Sequence, residues 1–316
     1  MNELNYKDIS GGRYNVGLAW LKIIAAFCVV LLHYGPSLGP LGYIVGCAVP
    51  AFMVVSFYLG YFHRKDLRSR LKRILVPFWF WGSISWLLFD STHRVSNLIL
   101  QLAVGVPSCR PLYFMFVLTL ATVIIYAINT KANTHIHRMT LLGGIVALCV
   151  ILQYSGVNSH LCECLNADIK PVLGRIVELL PYACLGVVMA EVSKHRHGRN
   201  IMFFLGLLLS ALSGGVHMIR MCPGFGYQGL FTLAMTVCIC SLAMWEGFNY
   251  LCNEKLARLA GGLSVGVYFS HVVVGRMLRY LYPMKNGFLY AFIVFVIAIM
   301  LTLGMRRIKY IREFAF

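Results

Sequence analysis

Two side chains in the first apolar stretch of the chain, VGLAWLKIIAAFCVVLLHYGPS, are of a kind that hydrocarbon rejects. They are Lys22 and His33, eleven residues apart. In an α-helix at about 100° per residue, that separation is three turns plus about 20°. The two residues therefore share a face, about 16 Å apart along the axis. An ammonium on such a face attracts an anionic ligand. An imidazole accepts a proton near neutral pH, which is the chemistry needed to activate a hydroxyl. Ionisable groups at membrane depth cost at least a few kcal/mol, so they usually face protein or a water-filled cavity. A snorkelling lysine and an interfacial histidine are the structural alternative.

A second group of cations lies in RKDLRSRLKRILVPFWFW, residues 64–81, where six Lys and Arg precede an apolar run. Arg70 and Arg73 are i,i+3 and share a face. Two guanidinium forks so placed suit phosphate oxygens. A positively charged anchor next to an aromatic belt is the competing reading. Further along, GGLSVGVYFSHVVVGRM carries Ser264, Tyr268 and His271 at i, i+4 and i+7, one polar stripe on an apolar helix. That stripe either lines a cavity or hydrogen-bonds neighbouring helices. Arg175 and Glu178 are spaced to neutralise each other. Asp90 reads as an interfacial cap, and Glu191 and Glu246 as solvated acids near the inner face.

These residues must be positioned by helices in a bilayer. The chain of 316 residues is 59% apolar and only 12% charged, with a mean hydropathy of +0.74. Water-soluble domains carry about a quarter charged residues, and membrane barrels alternate apolar and polar residues rather than running apolar throughout. The composition predicts an all-α polytopic membrane protein. Ten runs approach the roughly 20 residues a span needs: 16–34, 42–62, 74–90, 111–129, 139–156, 173–192, 201–219, 227–249, 259–280 and 287–305. Residues 98–106 are apolar but too short to cross and are expected at the interface. The first run lacks a cleavage-site pattern and reads as a retained helix. Residues 1–316 read as a single transmembrane domain with a short polar segment (1–15) and a short basic tail (306–316).

The net charge of +17 belongs to the loops. Alternate segments hold nineteen Lys and Arg against five, which predicts both termini in the cytoplasm and membrane lipids as partners, not nucleic acid. Cys28, Cys149, Cys184, Cys238 and Cys240 sit in apolar runs and read as small core residues. Cys162 and Cys164 are loop cysteines, and no His/Cys cluster supports a metal site. The glycine pairs 143–144, 214–215 and 261–262 read as places of helix closeness or helix ends rather than phosphate cradles.

In order along the chain, these motifs resemble the membrane acyltransferases of family 3, which O-acylate sugars. Lys22 and His33 are similar to the family's Arg/Lys-(ten residues)-His signature. Arg70-Leu71-Lys72-Arg73 resembles its Arg-x-x-Arg motif before the third helix. VPAFMVVSFYLGYF (49–62) resembles its second-helix segment, with Phe57 where the family usually has Gly after Ser56. LPYACLGVVMAE (180–191) and GGLSVGVYFSHVVV (261–274) are similar to its sixth and late helices. Leu112-Tyr113-Phe114 stands where the family often has a Trp.

The resemblance implies a bacterial inner-membrane enzyme with no permanently bound cofactor. It would take acetyl-CoA, or another acyl-CoA, as donor and a carbohydrate or lipid-linked glycan as acceptor. His33 would be the general base, and Lys22, Arg70 and Arg73 would hold the donor. Ser264, Tyr268, His271, Arg175, Glu178 and Tyr113 are candidate lining residues. Two other classes compete: a transporter or flippase of lipid-linked sugar, and a sensor with a degenerate site. Transporters often show inverted repeats, and no clear internal repeat is present.

Overall fold

In the computed structural model the described residues are 15–39, 41–62, 66–106, 110–154, 170–195, 197–220, 229–245, 253–282 and 285–308. Among them the regular structure is helical: α1 (Val16–Tyr34), α2 (Leu41–Gly46), α3 (Ala48–Phe62), α4 (Leu67–Phe89), α5 (Val95–Val104), α6 (Tyr113–Lys131), α7 (His135–Tyr154), α8 (Lys170–Val192), α9 (Gly198–Arg220), α10 (Leu230–Ala243), α11 (Glu254–Leu281) and α12 (Phe288–Arg307). The described residues of the apolar runs lie largely on helices, with 42–62 divided between α2 and α3. Among the described residues seven segments are long and apolar enough to cross a membrane: α1, α2 with α3, α6, α7, α8, α11 and α12. Helix α4 carries cations and several Trp, Ser and Gly, which lower its hydropathy, and α9 and α10 contribute shorter apolar stretches.

Local chemistry sets the helix ends. The Asn15 side chain accepts the Leu18 N–H at 2.9 Å and caps α1. At the other end Gly35 N–H donates to the Leu31 carbonyl at 2.8 Å, and Pro36 stops the helix. The run 42–62, expected as one helix, breaks at Cys47 into α2 and α3. Pro50 explains the break. Its ring conflicts with the carbonyl four residues back, that of Gly46, and it has no N–H to donate.

The chain forms two compact units. The first gathers the described residues of 1–63, 185–268 and 285–295. Within it α1 packs on α2, α3 and α10, and α9 packs along α10. Val16 and Ala19 of α1 pack with Ala257 of α11. The Phe27 and Phe295 rings meet edge to face at 4.9 Å. Close approach of α3 and α8 rests on Gly186: a Cβ there would stand 2.5 Å from the Val54 carbonyl oxygen and 3.1 Å from Tyr58 N. The small residue that lets these helices touch is thus on α8, and the bulky Phe57 of α3, 1% exposed, is accommodated opposite it. At Gly143 and Gly144, by contrast, a Cβ would meet nothing within 4 Å among the described residues. Gly186→Ala is therefore expected to destabilise the protein by about 1–3 kcal/mol through overpacking, while Gly144→Ala is neutral. Thermal unfolding in detergent reads both, and equal melting temperatures for the two variants would remove the close-approach argument.

The second unit gathers the described residues of 64–184, 269–284 and 296–316. In it α4, α5 and α6 pack together and α7 joins α6. The segment 98–106 forms the larger part of α5 and the turn that follows it. As α5 it folds back along α4, where the Trp79 indole N–H donates to the Leu102 carbonyl at 3.1 Å. A Cβ on Gly82 would touch Leu102 at 3.4 Å. The end of α5 thus stands beside the middle of α4, about 15 Å below the end of that helix. Gly105 then turns the chain with φ +84°, where a Cβ would collide with Leu112 and Tyr113 backbone at 2.6 Å.

Asp90 ends α4 as a cap. It accepts from the Thr92 hydroxyl at 2.7 Å, from the Thr92 and His93 N–H groups at 2.9 Å each, and from the Asn97 amide at 2.9 Å. The Thr92 hydroxyl first, then Asn97 and the two N–H groups, hold the carboxyl well below the usual carboxylate range. A depressed carboxylate contributes stability above its unfolded pKa of about 4 and loses it as pH falls toward the folded value. Asp90→Asn is expected to melt earlier than wild type at neutral pH, with the gap closing in strong acid. A gap that does not change with pH would contradict this.

Candidate functional site

Lys22 and His33 do share one face of α1. Ala26 (0% exposed) and Val29 (2%) lie between them on that face, and Leu18 and Ala25 flank it, all buried. Ile24, on the opposite side, is 54% exposed. The middle of that face is turned into protein; Lys22 at one end is half-buried and His33, in the last turn, is exposed. That turn is held firmly. The Tyr34 ring meets Tyr290 edge-on at 5.6 Å, and the Tyr34 carbonyl accepts the Gly287 N–H at 3.0 Å. The imidazole of His33 sits 6.3 Å from the Tyr34 ring. Tyr34 is thus anchored on its other side, which fixes the backbone that carries His33.

Arg70 and Arg73 occupy the first two turns of α4, Arg70 half-buried and Arg73 exposed. The basic cluster is divided between two faces. At about 100° per residue, the pair Arg68 and Lys72 is centred about 150° around the helix from the pair Arg70 and Arg73, with Lys72 about 100° from Arg73. Arg68 and Lys72 line a groove of about 830 Å³ together with Leu75, Trp79 and Tyr126.

The stripe on α11 is deeply buried: Ser264 and His271 are 0% exposed and Tyr268 4%. The Ser264 hydroxyl donates to the Gly261 carbonyl at 2.8 Å, so its proton is engaged by its own helix. The Tyr268 ring packs edge-on against Phe52 at 5.8 Å. Arg175 donates to Glu178 in a pair within α8, the mutual neutralisation their spacing allows. Tyr113 opens α6, half-buried, just after the Gly105 turn. Cys28 is half-buried, and Cys149, Cys184, Cys238 and Cys240 are buried free thiols. Cys162, Cys164 and Glu246 lie outside the described residues.

One polar group escapes the sequence reading. Glu191 is not a solvated acid; it is 8% exposed. It accepts from the Tyr61 hydroxyl and from Lys194 at 2.7 Å. Lys194 also donates to the Tyr61 oxygen at 2.8 Å and stands 4.7 Å from the centre of that ring. Desolvation pulls the Lys194 ammonium down, but its bonds to Glu191 and Tyr61 prevail and raise its pKa above the ordinary value. The group joins the ends of α3 and α8. Its sequence signal is an acid closing an apolar segment with a lysine three residues on.

Seven helical segments among the described residues that are long and apolar enough to cross a bilayer point to a membrane protein. A family model described as an acyltransferase domain, that of the family-3 acyltransferases, matches residues 15–307, and the chain belongs to that family. No curated protein and no solved structure matches it. The protein is an acyltransferase, and the charged and polar positions above are where its chemistry is to be sought.

Proposed function

We propose that the protein is an O-acetyltransferase of the bacterial inner membrane, with both termini and its basic loops in the cytoplasm. It moves acetyl from acetyl-CoA to a hydroxyl of a sugar in a cell-surface or lipid-linked glycan. The observation that carries this reading is the shared face of Lys22 and His33, whose middle is buried at Ala26 and Val29, within a chain of acyltransferase family.

In the reaction His33 takes the proton of the acceptor hydroxyl. The sugar oxygen forms a bond to the thioester carbonyl carbon, the carbon–sulfur bond breaks, and the imidazolium returns its proton to the departing thiolate of CoA. Arg70 and Arg73 bind donor phosphates through charge-assisted hydrogen bonds, and Lys22 offers a further cation to the donor. The Ser264 hydroxyl donates to the Gly261 carbonyl of its own helix rather than to a base, which favours direct transfer over a seryl intermediate. Tyr268 is the remaining hydroxyl of the stripe that can steady charge on the carbonyl oxygen. Acyl-CoA is a substrate here, and the scheme needs no resident cofactor.

Mass spectrometry of surface glycans from cells with and without the protein tests this. The expected difference is the mass of one acetyl group per modified sugar. Identical glycan masses would reject the sugar as acceptor.

A further inference from the structure

The division of cations on α4 leaves one pair without a task in acyl transfer. Arg68 and Lys72 are exposed, one helical turn apart, on a side of α4 centred about 150° around the helix from Arg70 and Arg73. They stand at the mouth of the groove between α4 and α6. Below them the wall is Leu75 and Trp79, with Tyr126 of α6 opposite. Trp79 is 47% exposed, yet its indole N–H is tied to the Leu102 carbonyl at 3.1 Å, so the ring is a fixed wall. From Arg68 to Trp79 the groove follows α4 for about 16 Å. That is close to the roughly 15 Å of hydrocarbon in one bilayer leaflet.

We infer that this groove is a binding site for one anionic phospholipid of the leaflet next to the basic loops. The phosphodiester sits between Arg68 and Lys72, and an acyl chain descends along Leu75 to Trp79. Asp66 also borders the mouth, but two cations against one carboxylate leave the mouth positive and select an anionic head over a zwitterionic one. A nucleotide thioester fits the groove less well. Its pantetheine amides would have to be buried along a wall whose polar atoms below the mouth are the Tyr126 hydroxyl and a Trp79 N–H already engaged. The inference does not depend on the reaction proposed above.

Native mass spectrometry of the purified, delipidated protein titrated with phosphatidylglycerol or phosphatidylcholine provides the test. The expected result is one phosphatidylglycerol per protein, bound in preference to phosphatidylcholine. Arg68→Gln with Lys72→Gln should weaken it about thirtyfold, from two cations near a headgroup, whereas Arg70→Gln with Arg73→Gln should keep it. Three outcomes overturn the assignment: equal binding of both lipids, undiminished binding by the Arg68/Lys72 variant, or displacement of the lipid by acetyl-CoA. Should that variant fail to fold, lipid preference and acetyl-CoA competition on the wild-type protein decide the matter.

Discussion

His33→Ala is expected to lower the rate of acyl transfer by about 10²- to 10⁴-fold, the usual worth of a positioned general base, while the protein still inserts and purifies normally. The fold side of this expectation follows from the last turn of α1. That turn is held by Tyr34 against Tyr290 and by the Gly287 hydrogen bond, and neither contact uses the imidazole. Activity should therefore fall without a matching loss of stability. Release of CoA thiol with acceptor present, compared with the melting temperature, separates the two. A variant turning over at the wild-type rate would remove the mechanism. One that loses activity only because it melts would make His33 a structural residue.

The second large effect is expected at the donor. Replacing Arg70 and Arg73 together by Gln should raise the KM for acetyl-CoA about tenfold for each guanidinium lost, the scale of a hydrogen bond to a charged group. The value of kcat should change little, because phosphates remote from the thioester are held alike before and during the chemical step. Arg70 is half-buried and Arg73 exposed, so the larger share belongs to Arg70. An unchanged KM would reduce the pair to a topology anchor.

The helices themselves were legible because a run of about twenty apolar residues has few other folds open to it. Their ends were less so. Helix α4 begins at Leu67 rather than at residue 74, since Lys and Arg are good helix formers and a change in hydropathy does not end a helix. The break at Cys47 was written in Pro50 but hidden by the unbroken apolar character of 42–62. The return of α5 along α4 could not be read from its length. It is decided by Gly82 and by Trp79 meeting Leu102, a contact between residues 23 apart.

At the site, the shared face of Lys22 and His33 followed from helical period alone, and the burial of Ala26 and Val29 agrees with it. The same arithmetic separates Arg68 and Lys72 from Arg70 and Arg73, although a count of positive charge merges all four. The Tyr61–Glu191–Lys194 group needed two helices to meet. Phe57 in place of a glycine gave no hint that Gly186 on another helix supplies the close approach.

The central claim is that this chain passes an acyl group from CoA to a sugar hydroxyl through His33. Membranes bearing wild-type or His33→Ala protein, given acetyl-CoA labelled in the acetyl carbons, test it most directly. The account predicts alkali-labile label in the glycan fraction of wild-type membranes and background label with the variant. Equal labelling by both proteins would contradict it, as would movement of unmodified lipid-linked sugar across the membrane with no label transferred.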